Sequence, residues 1–367
     1  MVTGIAIFFF AYLCFLALLI IGWRGILRRH HAPATDHPLI TVVIPVRDEA
    51  LNLVPLLRDL SGQQYAPFEV IVVNDHSTDE TVALATAYAA ADTRFSIIDA
   101  EGEGKKRALT TGIEAASGSI IVTTDGDCRV SPGWLSSLNS ALQDRRTMMA
   151  FGGVAILQEG RLFDNMQAIE MASLMGSGAS ALQWGFPLFC SGANLAFRKM
   201  VFNAVDGYAD NFGIASGDDE FLMRKVVAKY PGTLVFTTAP GSVVRTKAAL
   251  SVMDFVQQRM RWAGKWKHND SGYAKGVAIY IFLVQVTLAG AWVVVLAGDG
   301  FLQNVSAVIL ATRFVAEALF LYPVTRFLGS RWSWLAYAAL QLIYPWYVVA
   351  TALFSIVLKG SWKGRGL

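Results

Sequence analysis

Three stretches of the chain, Val2–Trp23, Gly276–Gly298 and Trp332–Leu358, contain no charged residue. Each supplies the roughly 20 apolar residues that a helix needs to cross a bilayer core of about 30 Å. A fourth stretch, Phe301–Thr325, is interrupted only by Arg313 and Glu317. These two stand four residues apart on one helical face, and charge inside an apolar helix is costly. The spacing therefore predicts an ion pair turned toward other helices. Between Pro38 and about Thr246 the pattern changes to short apolar runs alternating with helical periodicity. Leu39–Pro45, Phe68–Asn74, Phe95–Asp99 and Ser119–Thr124 read as strands. Leu53–Gln63, Glu80–Asp92, Lys105–Ala116 and Pro132–Gln143 read as helices, and Ser77 and Glu80 have capping-box spacing. Such alternation predicts βαβ units and a mostly parallel sheet.

The domain plan is then an anchor over 1–23, an α/β domain over 38–247, an amphipathic interface segment over 248–270 and about three spans over 276–358. Composition agrees with it. The 367 residues are 54% hydrophobic and 16% charged, against about 25% charged in a soluble globule. Disorder and an ordinary soluble globule are both excluded by that balance. A net charge of +3 is too small to point to nucleic acid. Cys14, Cys128 and Cys190 are too few and too scattered for a disulfide framework or a zinc site, so a reducing compartment is expected.

Arg24, Arg28 and Arg29 follow the first span and place the α/β domain on the cytoplasmic side of the cell membrane. Ala32-Pro33-Ala34 resembles a signal-peptide cleavage site, but the long apolar run and the missing basic start favour an uncleaved anchor. Three later spans would carry Lys359, Lys363 and Arg365 to the other side, against the same charge rule. Tyr344-Pro345-Trp346 is expected to break the last segment, because proline removes a helix hydrogen bond.

In open α/β sheets ligands bind beyond the carboxyl ends of the strands, and acidic residues gather there. Asn74-Asp75 ends the second strand, and Asp125-Gly126-Asp127 ends the fourth. The latter has two readings: a solvated Asp-Gly turn, or hard oxygen ligands for Mg2+ or Mn2+. Asp218-Asp219-Glu220 opens a helix over Phe221–Lys229. It reads as helix capping, or as crowded carboxylates of which one serves as a general base. Gln258-Arg259-Met260-Arg261-Trp262 lies in a basic, aromatic stretch running to Lys267. It reads as a headgroup-level helix, or as a site where Arg261 meets phosphate and Trp262 stacks on a ligand. Nucleotide fingerprints are missing. Arg107 stands where a third glycine would complete a GxGxxG from Gly102, and Lys106 replaces the Ser or Thr of a P-loop.

These motifs in this order, together with Val73-Asn74-Asp75-His76-Ser77-Thr78-Asp79, resemble the membrane-associated inverting glycosyltransferases of family two. The last motif is similar to the QxxRW signature of cellulose and hyaluronan synthases and of ceramide glucosyltransferase. The resemblance covers about Leu39 to Lys267 and implies a Rossmann-like GT-A fold. It implies that Pro45, Val46, Glu49 and Asp75 hold the nucleoside, with Asp75 at the base, and that Lys105 lies near the donor. Asp125 would approach ribose and diphosphate, Asp127 would ligate a divalent metal with Asp125, and Asp219 would be the catalytic base. Gln258, Arg261 and Trp262 would form a gate over diphosphate and acceptor. Ser191-Gly192-Ala193-Asn194 resembles an acceptor-side turn, and equally reads as a strand turn that needs a small residue.

Asn74, His76 and Asp218 depart from the family's usual aspartate, small residue and glutamate. The implied activity is metal-dependent, inverting transfer from a nucleotide-diphosphate sugar, UDP-linked above all, to a lipid or lipid-linked hydroxyl at the cytoplasmic membrane face. A processive polysaccharide synthase, a polyprenyl-phosphate sugar transferase and a catalytically inactive membrane scaffold are the alternatives.

Overall fold

The computed structural model describes residues 2–29, 34–214, 217–264, 271–357, 361–362 and 365–366. Ala32, Pro33, Lys267, Lys359 and Lys363, which entered the sequence reading, lie outside the described residues. The chain forms two compact units. One comprises Gly25–Leu157 and Phe189–Lys247, and the other Met1–Arg24, Gln158–Leu188 and Ala248–Leu367.

In chain order, α1 (Val2–Leu27) is followed by β1 (Ile40–Val46), α2 (Leu53–Ser61), β2 (Phe68–Asn74), α3 (Thr81–Ala91) and β3 (Phe95–Asp99). Then come α4 (Lys105–Ala115), β4 (Ile120–Thr123), α5 (Trp134–Ala141), β5 (Met149–Phe151), β6 (Val154–Ile156) and α6 (Leu162–Gln183). After a 3-10 turn at Gly192–Asn194 follow β7 (Leu195–Arg198), α7 (Lys199–Ala204), α8 (Asp218–Lys229), β8 (Leu234–Phe236) and β9 (Val244–Thr246). The chain continues with α9 (Val252–Gly264), α10 (Gly272–Ala297), α11 (Gly300–Phe327) and α12 (Trp334–Val357).

The first unit is built on a seven-stranded sheet in the order β3-β2-β1-β4-β7-β5-β8. β1 runs parallel to both β2 and β4, with Val46 opposite Asn74 and Val43 opposite Thr123. β7 is antiparallel to β4 and β5, so the sheet is mixed beyond its four parallel strands. β1, β2 and β4 are buried along almost their whole length, as expected where both sheet faces are covered. α2 buries Leu53, Leu56, Leu57 and Leu60, a single helical stripe. α4 approaches the sheet through Gly112, where a Cβ would fall 2.4 Å from Val43 Cγ1 and 2.8 Å from Val73 Cγ2. The order around β1 reverses direction between β2 and β4, which creates a crevice at the carboxyl ends of β1 and β4.

Two local expectations are corrected in this unit. Ser77 and Glu80 form no capping box: Ser77 Oγ accepts from the Asp48 N–H at 3.1 Å, and Glu80 makes no side-chain cap. Asp79 does the work instead, accepting from the Thr81 N–H at 2.9 Å. The acidic helix also begins earlier than expected, with Asp218 as its first residue.

In the second unit α1, α10, α11 and α12 are long and apolar enough to cross a membrane. α6, amid the α/β segment in sequence, clusters with these helices and packs on α11 and α12. Small residues permit the approach. A Cβ at Gly176 would lie 2.8 Å from Val324 Cγ2, and one at Gly22 of α1 would lie 2.7 Å from the Ser180 carbonyl. Arg313 and Glu317 do pair, Nε to Oε1 at 2.9 Å. Tyr12 also donates to Glu317 Oε1, and Gln341 Nε2 donates to Oε2 at 2.7 Å. The expected break at Pro345 is absent: α12 runs through it, as α11 runs through Pro323. Proline is tolerated in apolar helices when packing and local adjustment satisfy the freed backbone groups.

Candidate active site

The crevice at the strand ends is shaped first by backbone turns. β1 ends at Val46, whose carbonyl accepts the Asp75 N–H at 2.8 Å. Beyond β2 the chain turns sharply at His76, whose φ of 58° is left-handed. That is why a small residue is common there, and histidine is among the side chains that tolerate it. Asn74 explains its own departure from aspartate. Its amide donates to Asp99 Oδ1 at 2.8 Å and its carbonyl accepts from the Ser77 N–H at 2.9 Å. A carboxylate would face Asp99 with no donor. Asp75 is buried and accepts the Gly104 N–H at 2.9 Å, which ties the second strand end to the start of α4.

Lys105, the first residue of α4, is thereby held inside the crevice. Its Nζ lies 2.7 Å from Asp125 Oδ1 and 3.3 Å from Asp218 Oδ2. Burial alone would lower the lysine pKa, but Asp125, Asp218 and Asp219 outweigh it and hold the ammonium well above its usual range. Burial likewise would lift the Asp218 carboxyl, and the Lys105 ammonium keeps it below the ordinary carboxylate range. Asp218 therefore does not cap α8; that position is Gly217, in a left-handed turn with no side-chain cap.

Asp219 is oriented by two backbone donors. Gly192 N–H reaches Oδ2 at 3.0 Å and Glu220 N–H reaches Oδ1 at 2.8 Å. Gly192 is fixed in turn by Thr123 Oγ1, which donates to its carbonyl at 2.7 Å. A Cβ on Gly192 would sit 2.9 Å from Asp218 Oδ2 and 3.6 Å from Asp219 Cβ, so this turn touches the acidic cluster directly. Asn194, two residues on, is wholly buried and spends its side chain on Trp134 Nε1 and the carbonyls of Gly153 and Ser242. Ser191 is half-buried, and its carbonyl accepts the Asn194 N–H at 3.0 Å.

Asp127 accepts from Thr246 Oγ1 at 3.0 Å. Its carboxyl is pushed up to about 6 by burial, reinforced by the charges of Asp125 and Glu49. Val46 and Glu49 close against the Asp-Gly-Asp turn, each 3.1 Å from where a Gly126 Cβ would stand. Glu49 N–H is held by Thr81 Oγ1 at 2.7 Å, and Glu49 Oε2 takes the Asn52 amide at 2.6 Å. Among the described residues no group of three or more His, Cys, Asp and Glu side chains forms a cage for a metal. The donor set nevertheless fits a Mg2+ or Mn2+ shared with substrate. Asp125 and Asp127 offer hard oxygens, and a divalent cation would offset both the burial and the neighbouring charges that lift Asp127.

The sheet unit thus brings together Lys105, Asp125, Asp218, Asp219 and Gly192 around one crevice, with Pro45, Val46, Glu49, Asp75 and Asp127 along its strand ends. Gln258, Arg261 and Trp262 belong to the helical unit, half-buried on α9. The sequence carried no signal for Thr123 and Thr246, single threonines in strand context. Nor did it mark Tyr208, whose phenol is pushed well above its usual range by burial and then by the charge of Asp218.

This fold and crevice define an α/β sheet of the GT-A type, the class of nucleotide-sugar-dependent transferases. Residues 41–206 match the family described as Glycosyl transferase family 2. Over 204 residues it is 38% identical to the glycosyltransferase AglE of Haloferax volcanii, covering 53% of this chain and 63% of that protein. Over 107 residues it is 37% identical to a 4,4'-diaponeurosporenoate glycosyltransferase of Staphylococcus aureus, covering 27% of this chain and 28% of the relative. The chain thus spans less than two thirds of either relative. In fold it is similar to the mannosyltransferase PcManGT of Pyrobaculum calidifontis, solved with GDP-Man and Mn2+. The TM-score is 0.60 at 20% identity, over 97% of this chain and 99% of that one.

Proposed function

We propose that the chain is a metal-dependent inverting glycosyltransferase. It moves a sugar from a nucleotide-diphosphate sugar to a hydroxyl of a lipid or lipid-linked acceptor at the cytoplasmic membrane face. The observation that carries this reading is Asp219, aimed by the Gly192 and Glu220 N–H groups beside a crevice that holds Lys105, Asp125 and Asp218. Asp219 accepts the proton of the acceptor hydroxyl while that oxygen bonds to the anomeric carbon from the face opposite the diphosphate. The bond to the diphosphate oxygen breaks with its electron pair remaining on the diphosphate. One displacement inverts the anomeric centre. Lys105, fully charged, stabilises negative charge at the diphosphate end of the crevice. A divalent cation held by Asp125 and Asp127 supplies further charge neutralisation there. Apolar spans and relatives that include a diaponeurosporenoate glycosyltransferase support an apolar acceptor.

The test is to incubate purified full-length protein with UDP-glucose, UDP-N-acetylglucosamine and GDP-mannose, each with membrane lipid extract and Mn2+. Products are analysed by mass spectrometry and the anomeric configuration by NMR. One defined addition with inversion supports the reading. A ladder of lengths identifies a processive synthase instead, and a sugar linked only to lipid phosphate identifies the polyprenyl-phosphate reaction. Binding without turnover of any donor leaves the scaffold. In the Asp127→Asn variant, metal-stimulated donor binding is expected to disappear; unchanged metal dependence removes the metal assignment.

A further inference from the structure

α9 is amphipathic, yet its one buried residue is an arginine. Arg259 lies in the helical unit with a side chain only 6% exposed, against Glu170 of α6 at 5%. Its Nε donates to Glu170 Oε1 at 2.9 Å and Oε2 at 3.0 Å, and Nη2 also reaches Oε2. Such fork-on-carboxylate pairing fixes the plane of the guanidinium as well as its place. Aromatic rings one helical turn to either side also meet the guanidinium. The Arg259 Cζ stands 4.5 Å from the Phe255 centroid and 4.2 Å from that of Trp262. The remaining nitrogen, Nη1, donates to Gln258 Oε1 at 2.6 Å.

One guanidinium therefore touches both Gln258 and Trp262, two of the residues to which the family resemblance assigns the gate. We propose that Arg259, clamped by Glu170, is the positioning residue of that gate: it sets the rotamers of Gln258 and Trp262. This rests on the transferase reading above. A purely structural anchor between α6 and α9 would need the ion pair alone. The two further contacts, to the amide and to the indole, are what assign Arg259 a role in the gate. Lysine at 259 keeps the charge opposite Glu170 but lacks the planar fork, so it cannot hold the amide and stack under the indole together.

The test uses the full-length protein in detergent, with Arg259→Lys as the principal variant because it keeps the buried charge paired. Glu170→Gln is the second variant. The emission of Trp262 is isolated by subtracting the spectrum of the same protein carrying Trp262→Phe. Acrylamide quenching of that component is expected to rise about twofold in Arg259→Lys, with the thermal midpoint retained. Turnover of UDP-glucose and GDP-mannose on lipid extract is expected to fall in kcat by up to about 10²-fold, the cost of a displaced reacting group, with KM for the nucleotide sugar little changed. Unchanged Trp262 quenching in folded Arg259→Lys overturns the proposal. So does normal kcat in that variant when Gln258→Ala and Trp262→Ala lose turnover. If those two also turn over normally, the gate itself falls, and with it any role for Arg259 beyond anchoring.

Discussion

Each unit buries charge, and the two do so in opposite ways. In the helical unit the carboxylate of Glu317 faces the guanidinium of Arg313, and Tyr12 and Gln341 complete its hydrogen bonds. Arg313 spends another nitrogen on the Gln341 carbonyl at 3.1 Å. Donors and acceptors within this group meet one another. In the sheet unit the Lys105 ammonium is shared by Asp125 and Asp218, with Asp219 close enough to act on it electrostatically. Asp127 is pushed toward neutrality by burial and then by the charges of Asp125 and Glu49. Carboxylates outnumber the ammonium in that cluster, which lies where the strands end. A balanced buried network ties helices together, whereas crowded carboxylates with shifted titration are the common mark of a functional site.

The largest expected effect lies in the unbalanced cluster. Asp219→Asn keeps the shape and one of the two backbone contacts, but its amide nitrogen cannot accept the other N–H and the side chain cannot take a proton. Transfer is expected to fall by about 10²–10⁴-fold while donor affinity holds. Asp218→Asn is expected to cost less; the opposite ranking of the two variants would move the base to Asp218. The balanced network should answer in stability instead. Glu317→Ala leaves Arg313 buried without its counter-charge, at a cost of about 3–5 kcal/mol in denaturant unfolding. Arg313→Met combined with Glu317→Leu should recover most of that loss, because an apolar pair suits the same space. If the double variant is as unstable as Glu317→Ala, the network does more than lock helices.

Lys105→Met sharpens the contrast through pH. Removing the shared cation is expected to cost about 1–3 kcal/mol at neutral pH. Lys105 holds the folded-state pKa of Asp218 below its unfolded value. That contribution is present above the ordinary carboxylate pKa and is lost as pH falls through the depressed one. The variant lacks it, so its stability should decline less steeply on the acid side than that of the wild type. Parallel acid profiles would mean that Lys105 does not set the Asp218 charge. Gly192→Ala should have the smallest effect. Its φ needs no glycine, but the added Cβ at 2.9 Å crowds Asp218 Oδ2. Transfer is expected to drop by less than the about 10²-fold that a displacement of roughly 1 Å can cost. Full activity in this variant would show that the turn is not set against the acidic cluster.

The sequence by itself determined what depends on near neighbours. β2 and β3 coincide with their expected runs, and β1 and β4 differ by a residue at either end. The Arg313–Glu317 pair was equally legible, because a helix brings residues four apart together wherever it lies. β5, β6, β8 and β9 were not, since three residues are too few to show a period. Pro345 and the Ser77–Glu80 spacing misled for a related reason: packing overrode a local rule. At the candidate site the acidic residues were visible as types at strand ends, but their partners were not. Tertiary structure alone decided that Lys105 answers both Asp125 and Asp218, that Gly192 aims Asp219, and that Arg259 meets Glu170 from 89 residues away. Local propensity acts over one turn or one strand pair, whereas charges find partners wherever folding brings them within about 3 Å, and no spacing along the chain encodes that meeting.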